Sequence, residues 1–301
     1  MSDSSRCGFV AVIGRPNVGK STLINRIVGR KVSIVTPKPQ TTRHRILGVH
    51  TTAEHQIVFV DTPGLHDSEG KVMNRLMNRT AGAALTDADV VLFVSEASAW
   101  KPQDERVLER IKAVAQNLPV FAVLNKVDRI KRKSALLEDI AQMSDRFPFA
   151  EIVPLSAKQG ENVDRLIGSL PPYLPVSPPL FPADSVTDRS ELFLASELIR
   201  EKLTYALRDE LPYGVAVQIE RMRHTEQGVE VDAVIWVERE SQKGIVIGKG
   251  GAQLKAIGQQ ARQDLIRHLD QRVHLELWVK VKDNWANSEA ELQKLGYDIR
   301  E

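Results

Sequence analysis

Gly14-Arg15-Pro16-Asn17-Val18-Gly19-Lys20-Ser21 decides the fold of the first part of this 301-residue chain. The stretch fits the pattern Gly-x-x-x-x-Gly-Lys-Ser/Thr, which is typical of a phosphate-binding loop. An apolar run at 9–13 precedes it, and residues 22–28 carry apolar side chains at helical spacing. A strand, a glycine-rich turn and a helix N-terminus direct several backbone N–H groups to one place. We therefore predict that Lys20 reaches the outer phosphates of a nucleotide and that the Ser21 hydroxyl binds Mg²⁺.

Three shorter elements follow apolar runs further along the chain. Asp61-Thr62-Pro63-Gly64 ends the run 57–60, where the carboxylate can hold Mg²⁺ and the Gly64 N–H can meet a γ-phosphate. Asn125-Lys126-Val127-Asp128 follows the run 119–124, and its last carboxylate can accept two N–H bonds from guanine. Adenine lacks that donor pair, so this element predicts guanine selection. Ser156-Ala157-Lys158 follows the run 151–155, and its backbone is placed to contact the guanine O6.

In this order, the four elements resemble the translation-factor-like P-loop GTPases. The resemblance implies an α/β domain with a mostly parallel sheet, and apolar runs near 9–13, 55–60, 89–95, 119–125 and 151–155 agree with it. It also implies a switch segment, which here is the polar, proline-rich stretch 36–45. Either Thr41 or Thr42 would reach Mg²⁺ in the GTP-bound state, and the sequence does not choose between them.

Two positions depart from the common pattern of such GTPases. Leu65 stands where many of them carry a glutamine that orients the attacking water. Because leucine cannot hydrogen-bond to water, we expect slow hydrolysis without a partner, and no residue is assigned a catalytic role. Asn17 in the phosphate loop has two interpretations: its carbonyl oxygen ligates a K⁺ ion beside the phosphates, or it serves turn geometry alone.

Composition limits the remaining possibilities. The formal net charge is +2, so overall charge does not indicate a nucleic-acid binder. No apolar run approaches the roughly 18 residues that a membrane-spanning helix needs, and Cys7 is the one cysteine, which excludes an intramolecular disulfide. These features favour a soluble cytoplasmic protein.

A proline cluster between 171 and 182 divides the chain. Prolines lack an N–H donor and favour extended structure, so we expect a semi-rigid spacer there. The predicted organisation is a GTP-binding domain at 1–172, a proline-rich linker at 173–189 and a second domain at 190–301. Leu180 and Phe181 are candidates for pinning the linker to a neighbouring surface.

The second domain contains Val246-Ile247-Gly248-Lys249-Gly250-Gly251 between a short apolar segment and the helical stretch 253–268. Helix, strand, strand, helix, Gly-x-x-Gly, helix and strand resemble an α+β KH domain of the prokaryotic (type II) topology. The glycines would let an RNA backbone approach, and Lys249 would meet a phosphate. Residues 190–301 contain 16 Lys and Arg against 19 Asp and Glu, so any RNA surface must be a local patch. Trp278 and Trp285 are both considered for base stacking, but the apolar strand around Trp278 favours its packing under the sheet.

A P-loop GTPase domain followed by such a KH domain resembles the Era family over nearly the whole chain. The resemblance implies a GTPase of small (30S) ribosomal subunit assembly and rRNA maturation, which binds small-subunit rRNA near its 3′ end under control of GTP and GDP. It also implies peripheral contact with the inner membrane, and we expect a monomer. The predicted GTP-binding residues are Gly14, Arg15, Pro16, Asn17, Val18, Gly19, Lys20, Ser21, Thr22, Thr41, Thr42, Asp61, Thr62, Pro63, Gly64, Asn125, Lys126, Asp128, Ser156, Ala157 and Lys158. The predicted Mg²⁺ ligands are Ser21, Thr42 and Asp61, and the predicted RNA-binding residues are Ile247, Gly248, Lys249, Gly250, Gly251 and Lys255.

Two other functions fit parts of the sequence. A metabolic P-loop kinase or ATPase would share the phosphate loop, but the guanine-selecting element at 125–128 argues against it. A signalling or trafficking GTPase with a C-terminal protein-interaction module would share the first domain. The Gly248–Gly251 loop argues against that second alternative, and a failure to bind RNA would favour it.

Overall fold

The computed structural model describes residues 5–64, 72–115, 117–208 and 211–297. These residues divide into two compact units. The first holds the described parts of 1–33, 42–67 and 77–188, and the second holds those of 34–41, 68–76 and 189–301. The change of unit after residue 188 falls at the end of the predicted linker. The domain limits 1–172 and 190–301 themselves stay a prediction.

The first unit is built on a six-stranded sheet in the order β2-β3-β1-β4-β5-β6. Its strands are β1 (Arg6–Ile13), β2 (Ile46–Thr51), β3 (His55–Asp61), β4 (Val90–Glu96), β5 (Val120–Asn125) and β6 (Glu151–Leu155). Five of them are mutually parallel, and β2 pairs antiparallel with β3 at the edge. The parallel strands read as nearly continuous apolar runs because helices cover both faces of such a sheet.

Among the described residues, four helices connect these strands and a fifth follows β6. They are α1 (Lys20–Val28), α2 (Val72–Thr86), α3 (Pro102–Val114), α4 (Lys133–Arg146) and α5 (Val163–Ser169). One core joins Val107, Leu108 and Ile111 of α3 to the strand residues Val91 and Phe93. This spacing of three and four residues places the apolar side chains of α3 on one helix face. Packing of this kind fixes the carboxyl ends of the strands, where the sequence motifs lie.

Strand β2 follows the predicted switch segment directly and was not predicted from the sequence. Its run Ile46-Leu47-Gly48-Val49-His50-Thr51 has a glycine and a histidine among the apolar residues, so its strand signal is weak. A Cβ at Gly48 would lie 2.6 Å from Ile24 Cγ2. The glycine thus permits α1 to pack closely on the sheet, which a strand propensity scale does not reward.

The proline-rich linker lies along the first unit. The Cys7 N–H donates to the Pro175 carbonyl at 3.2 Å, and the Ser177 N–H donates to the Ser5 carbonyl at 3.0 Å. Gln56 Oε1 accepts from the N–H groups of Leu180 and Phe181 at 2.8 and 2.9 Å. Phe181 also packs against a small apolar cluster, whereas Leu180 is exposed. Hydrogen bonds therefore hold this stretch in place in addition to the stiffness of proline.

The second unit contains a three-stranded sheet in the order β7-β8-β9. Its elements are α6 (Glu191–Ala206), β7 (Val215–Thr225), β8 (Gly228–Val237), α7 (Glu240–Ile247), α8 (Ala252–Leu269), β9 (Val273–Val281) and α9 (Glu289–Lys294). Strands β7 and β8 are antiparallel, and β9 is parallel to β8. Gly228 begins β8 with φ +131°, and a Cβ there would lie 2.3 Å from the Arg272 carbonyl oxygen, so only glycine fits.

The expectation that Trp278 packs under the sheet is wrong, and Trp285 is not available for base stacking. Trp278 is 41% exposed, because β9 alternates and this position shares the solvent side with Glu276 and Lys280. Trp285 is fully buried and has no free face on which a base could stack.

Within the described residues, no helix has the length and apolar character required to cross a membrane.

Candidate functional site

The phosphate loop joins β1 to α1, as the motif predicts. Helix α1 begins at Lys20, directly after Gly19 with φ +104°. A Cβ at Gly14 would lie 2.3 Å from the Val94 carbonyl oxygen, and one at Gly19 would lie 2.3 Å from Asn125 Nδ2. Because real Cβ atoms do not approach so closely, both positions require glycine. The loop backbone therefore lies tightly against the ends of β4 and β5.

Lys20 is a buried cation inside this loop, with a relative exposure of 6%. Its Nζ donates to the carbonyl oxygens of Gly14 at 2.9 Å and Arg15 at 3.2 Å. Burial lowers the pKa of this ammonium group to about 8, although the charge of Asp61 acts in the opposite direction. An anion beside Lys20 would favour its charged form, so the loop is suited to bind phosphate.

Three oxygen-bearing side chains predicted to hold Mg²⁺ meet in the first unit. Ser21 Oγ and Thr42 Oγ1 are 2.9 Å apart. Asp61 is fully buried, and neither of its carboxylate oxygens forms a hydrogen bond with the described residues. Burial raises the pKa of Asp61, against the charge of Lys20 and the nearby hydroxyls of Ser33, Ser21 and Thr42. A fully buried carboxylate beside the hydroxyls of Ser21 and Thr42 fits a hard divalent cation.

The structure also distinguishes the two switch threonines. Thr42 is the one whose hydroxyl lies at Ser21. The Thr41 hydroxyl instead contacts Thr36 Oγ1 at 2.6 Å and donates to the Lys38 carbonyl at 2.7 Å. This geometry favours Thr42 as the Mg²⁺ ligand. The Thr41 hydroxyl instead stabilises the turn formed by residues 36–41.

The element at 61–64 continues towards the phosphate loop. The Thr62 hydroxyl is buried and donates to the Val12 carbonyl at 3.1 Å. A Cβ at Gly64 would lie 2.9 Å from Pro16 Cγ, so the Gly64 backbone lies directly against the loop. Leu65 and His66, which follow it, lie outside the described residues, so the expectation about water positioning stays a prediction.

Asn125 organises the predicted guanine pocket and is itself buried. Its Nδ2 donates to the Val18 carbonyl at 2.7 Å, and its Oδ1 accepts from the N–H groups of Lys126 at 2.7 Å and Ala157 at 3.0 Å. The side chain therefore ties the phosphate loop to the segment 156–158. Its role in this geometry is to position its neighbours.

Asp128 is exposed at the mouth of this pocket. The Ser156 hydroxyl donates to its Oδ1 at 2.6 Å and so fixes the orientation of the carboxylate. Lys126 Nζ donates to the Asn17 carbonyl at 2.7 Å, which links the pocket to the phosphate loop. The Lys158 carbonyl accepts from Arg26 Nη2 at 2.5 Å. The structure thus brings the four motifs of the first unit together.

Two acidic residues that sequence reasoning missed brace this arrangement. Glu96 accepts from Lys126 Nζ at 2.8 Å and from Arg129 at 3.2 Å. Burial raises its pKa, but the hydrogen bond and charge of Lys126 outweigh burial, so the pKa lies below its ordinary value. Asp104 Oδ2 accepts from Arg15 Nε at 2.9 Å. Glu96 ends a parallel strand, and that position could have indicated a role at the ligand edge.

Arg15 was predicted to bind GTP, and only its backbone lies in the phosphate loop. Its side chain is 7% exposed and is paired with Asp104 and, at 3.4 Å, with Glu96. Burial raises the pKa of Asp104, although its hydrogen bond with Arg15 acts against this. Asp104 also accepts from the Lys101 N–H at 2.9 Å at the start of α3. The Arg15 side chain therefore anchors the loop to α3.

In the second unit, the Gly-x-x-Gly loop joins α7 to α8. Gly248, Gly250 and Gly251 have φ values of +73°, +59° and +77°, a region that L-residues rarely occupy. A cleft of about 400 Å³ opens beside the loop. Its lining residues are Gly251, Leu254, Lys255, Gly258, Gln259, Arg262, Leu275 and Leu277.

This cleft combines a basic rim with an apolar floor. Lys255 and Arg262 lie seven residues apart on α8 and both line it, as the helical spacing predicts. The floor comes from Leu275 and Leu277 of β9, which the sequence analysis missed. Ile247, predicted to contact RNA, does not line the cleft and packs partly buried against the core.

Comparisons with known proteins agree with both halves of the chain. The family described as "50S ribosome-binding GTPase" matches residues 9–126, and the KH domain family matches residues 210–286. GTPase Era of Actinobacillus pleuropneumoniae serotype 3 (strain JL03) is 51% identical over 97% of this chain and 95% of its own length. GTPase Era of Coxiella burnetii (strain CbuG_Q212) is 51% identical over 97% of this chain and 98% of its own length.

The chain belongs to the Era family of GTPases.

Solved structures extend the Era likeness to three dimensions. A crystal structure of Era in complex with MgGDPNP and nucleotides 1506–1542 of 16S ribosomal RNA is 40% identical, with a TM-score of 0.93, and covers 98% of this chain and 100% of that one. A crystal structure of an Aquifex aeolicus Era variant bound to GDP·AlF₄⁻ is also 40% identical, with a TM-score of 0.92 and the same coverage. The predicted fold class is confirmed: a P-loop GTPase domain is followed by a KH domain. The prediction that the chain is a GTPase is confirmed as well.

Proposed function

We propose that this Era-family GTPase binds small-subunit rRNA near its 3′ end through the KH domain, under control of GTP and GDP. It acts in 30S subunit assembly and rRNA maturation. The observation that carries the proposal is the likeness, over nearly the full chain, to Era solved with MgGDPNP and nucleotides 1506–1542 of 16S rRNA. The four motifs that meet in the first unit and the glycine loop of the second unit support the proposal.

The residues predicted for GTP take distinct roles in this proposal. Backbone N–H groups at the start of α1 and the Lys20 ammonium bind the phosphates. Asp128 accepts hydrogen bonds from the guanine edge. Asn125 ties the phosphate loop to the segment that borders the base. Ser21, Thr42 and Asp61 hold Mg²⁺, which when bound neutralises charge on the phosphate oxygens.

Hydrolysis is expected to be slow until a partner acts. Leu65 supplies no group that can orient water, and the catalytic contribution of the described residues is therefore positioning and charge stabilisation. The GTP-bound and GDP-bound forms differ in the switch segment, and a slow intrinsic rate of hydrolysis prolongs the GTP-bound form.

For RNA, the proposed contact is the Gly248–Gly251 loop together with the cleft beside it. The glycines allow a sugar–phosphate backbone to approach, and Lys249 and Lys255 meet phosphates. Bases would lie over the apolar floor of the cleft. We further propose a monomer located in the cytoplasm; peripheral contact with the inner membrane stays a prediction from the family resemblance.

The double substitution Lys249→Ala/Gly250→Asp is expected to weaken RNA binding by about 100-fold. It removes a lysine that contacts a phosphate and adds a carboxylate that repels it. The measurement is binding of a labelled 16S rRNA 3′ fragment with GTP analogue and with GDP. Wild type should bind more tightly with the GTP analogue. Equal affinity in the two states would contradict control by nucleotide, and no binding in either would favour a protein-interaction module.

A matched control is available in the same unit. Lys294→Ala/Gly296→Asp makes the same change of charge. Gly296 resembles Gly250 in having a positive φ and no neighbouring atom within 4 Å of the place where a Cβ would lie. This control variant should bind RNA as wild type does. An equal loss in both variants would mean that net charge, and not the loop, governs binding.

Potassium dependence tests the two interpretations of Asn17. The residue has φ +64°, a conformation that asparagine tolerates and that turn geometry explains by itself. If its side chain also ligates K⁺, GTP turnover should be several-fold faster in KCl than in NaCl at equal ionic strength. Asn17→Ala should abolish the difference. Equal wild-type rates in the two salts would leave turn geometry as its role.

A further inference from the structure

Helix α6 buries three charged side chains on one face. Glu197, Arg200 and Glu201 have relative exposures of 4%, 3% and 3%. Charged side chains are buried so completely only when they are paired or hydrogen-bonded. Arg200 meets Glu197 through two parallel hydrogen bonds of 2.7 and 2.6 Å, and Lys202 pairs with Glu201 Oε2 at 2.9 Å. These pairs explain only part of the buried charge. Glu201 Oε1 and the Arg200 guanidinium each form one further hydrogen bond outside this set.

Those remaining contacts go to the segment Ile34–Thr41, which belongs to the same compact unit as α6. Glu201 Oε1 accepts from the Val35 N–H at 3.0 Å, and the Tyr205 hydroxyl donates to the Val35 carbonyl at 3.1 Å. At the other end of the segment, Arg200 Nη2 donates to the Thr41 carbonyl at 2.5 Å.

A fourth contact lies between these ends, where Lys38 Nζ donates to the Leu207 carbonyl. Three of the four contacts use backbone atoms of the segment, so they fix its path and not merely one side chain. A loop held at both ends and in the middle loses much of the freedom expected for a polar, proline-rich stretch.

The position that follows this segment is Thr42, whose hydroxyl is 2.9 Å from Ser21 Oγ. Arg200 holds the carbonyl of Thr41, the residue directly before it. Arg200 therefore fixes the backbone of the residue that directly precedes Thr42 in the chain. In a switch of this type, that threonine contacts Mg²⁺ only when a γ-phosphate is present.

We infer that Arg200, Glu201 and Tyr205 are positioning residues that present Thr42 to the Mg²⁺ site, so that α6 sets the preference for GTP over GDP. The inference rests on the proposed function, because it assigns Thr42 to the GTP-bound state. Coupling of this kind is reciprocal: whatever holds α6 and the segment together also favours GTP.

The test removes the contacts with Val35 without touching the nucleotide site. Glu201→Ala/Tyr205→Phe should bind a GTP analogue about tenfold more weakly than wild type, because two hydrogen bonds that order the segment are lost. Its GDP affinity should stay within about twofold, since GDP does not require Thr42. Tyr205→Phe with Glu201→Gln should recover most of the loss, because the amide oxygen can still accept from Val35.

A control on the same helix is Glu191→Ala/Ser196→Ala, which also deletes a carboxylate and a hydroxyl. These groups contact His224 and the Phe193 carbonyl, outside the switch segment. The control should keep the wild-type ratio of GTP-analogue to GDP affinity. Hydrogen exchange at the Val35 amide adds a direct readout and should accelerate in the test variant alone.

The outcomes separate the two claims. A wild-type affinity ratio together with faster Val35 exchange would overturn the positioning role while leaving the GTPase assignment intact. An equal loss of GTP-analogue and GDP affinity in the test variant would also overturn it, because the defect would then be general. Failure of the wild-type protein to bind either nucleotide would instead contradict the proposed function.

Discussion

An Asp128→Asn protein is expected to lose GTP affinity by about 1,000-fold and to bind XTP in its place. The carboxylate accepts from guanine N1–H and N2–H₂, and each hydrogen bond to a charged group contributes about 1.5–3 kcal/mol. Asparagine would set an N–H₂ donor against the guanine amino group. Xanthine carries a carbonyl at that position, so its N1–H and O2 match the two ends of the amide.

The measurement is competition of GTP, XTP and ATP for a labelled guanine nucleotide at fixed Mg²⁺. Asp164→Asn is a suitable control, since Asp164 is exposed on α5 and the substitution makes the same chemical change away from the site. Ser156→Ala should fall between wild type and Asp128→Asn, because it removes the hydroxyl that orients the carboxylate at 2.6 Å. A GTP affinity within about threefold of wild type in Asp128→Asn would show that another group reads the base.

A Lys20→Met protein is expected to have opposite effects on binding and on stability. GTP affinity should fall at least about 100-fold, because a charge inside the phosphate loop is lost. The nucleotide-free protein should become more stable, because Lys20 is buried and its pKa is lowered to about 8 from 10.5. Such a shift corresponds to about 3 kcal/mol of free energy that the buried charge costs the fold.

The pH dependence of this stability difference has a definite sign. The folded pKa of Lys20 lies below the unfolded value, so the unfolded chain binds more protons between about pH 8 and 10.5. The cost is therefore fully present below pH 8 and declines as pH rises through that window. Urea unfolding of wild type and Lys20→Met from about pH 7 to about pH 10 measures it. A stability gap that does not narrow with rising pH would contradict the account of Lys20.

The lowered pKa of Lys20 also predicts that nucleotide binds more weakly at high pH. A bound phosphate favours the charged Lys20, so binding above about pH 8 must include proton uptake by the free protein. The affinity of wild type for GDP should fall between about pH 8 and about pH 9, and the residual affinity of Lys20→Met should not share this fall. Parallel slopes in both proteins would assign the effect to another group.

The sequence was most informative where a function is carried by consecutive residues. The loop 14–21, the element 125–128 and the tripeptide 156–158 each follow a strand that was predicted, and parallel strands bring their carboxyl ends to one edge. The Gly-x-x-Gly loop was equally readable, because three positive φ values demand glycine. Such motifs need no tertiary information beyond the alternation of strands and helices.

The sequence was least informative where a side chain's role depends on residues distant in the chain. Nothing local distinguishes Thr41 from Thr42, and only folding brings Ser21 to one of them. Glu96 and Asp104 belong to no motif, and their partners lie 30 and 89 residues away. Trp278 was misplaced because an apolar neighbourhood in the sequence does not say which side of a strand is covered.

By itself, the sequence determined the two-part architecture, the guanine nucleotide as ligand and the glycine loop of the KH domain. Local backbone geometry and short-range periodicity suffice for these, because each depends on a few adjacent residues. The tertiary structure alone decided which threonine reaches Ser21, how the linker is held and why α6 buries charge. These three features depend on contacts between residues that are far apart in the chain. Such contacts stabilise the fold only after distant segments meet, and no local sequence pattern predicts which segments will meet.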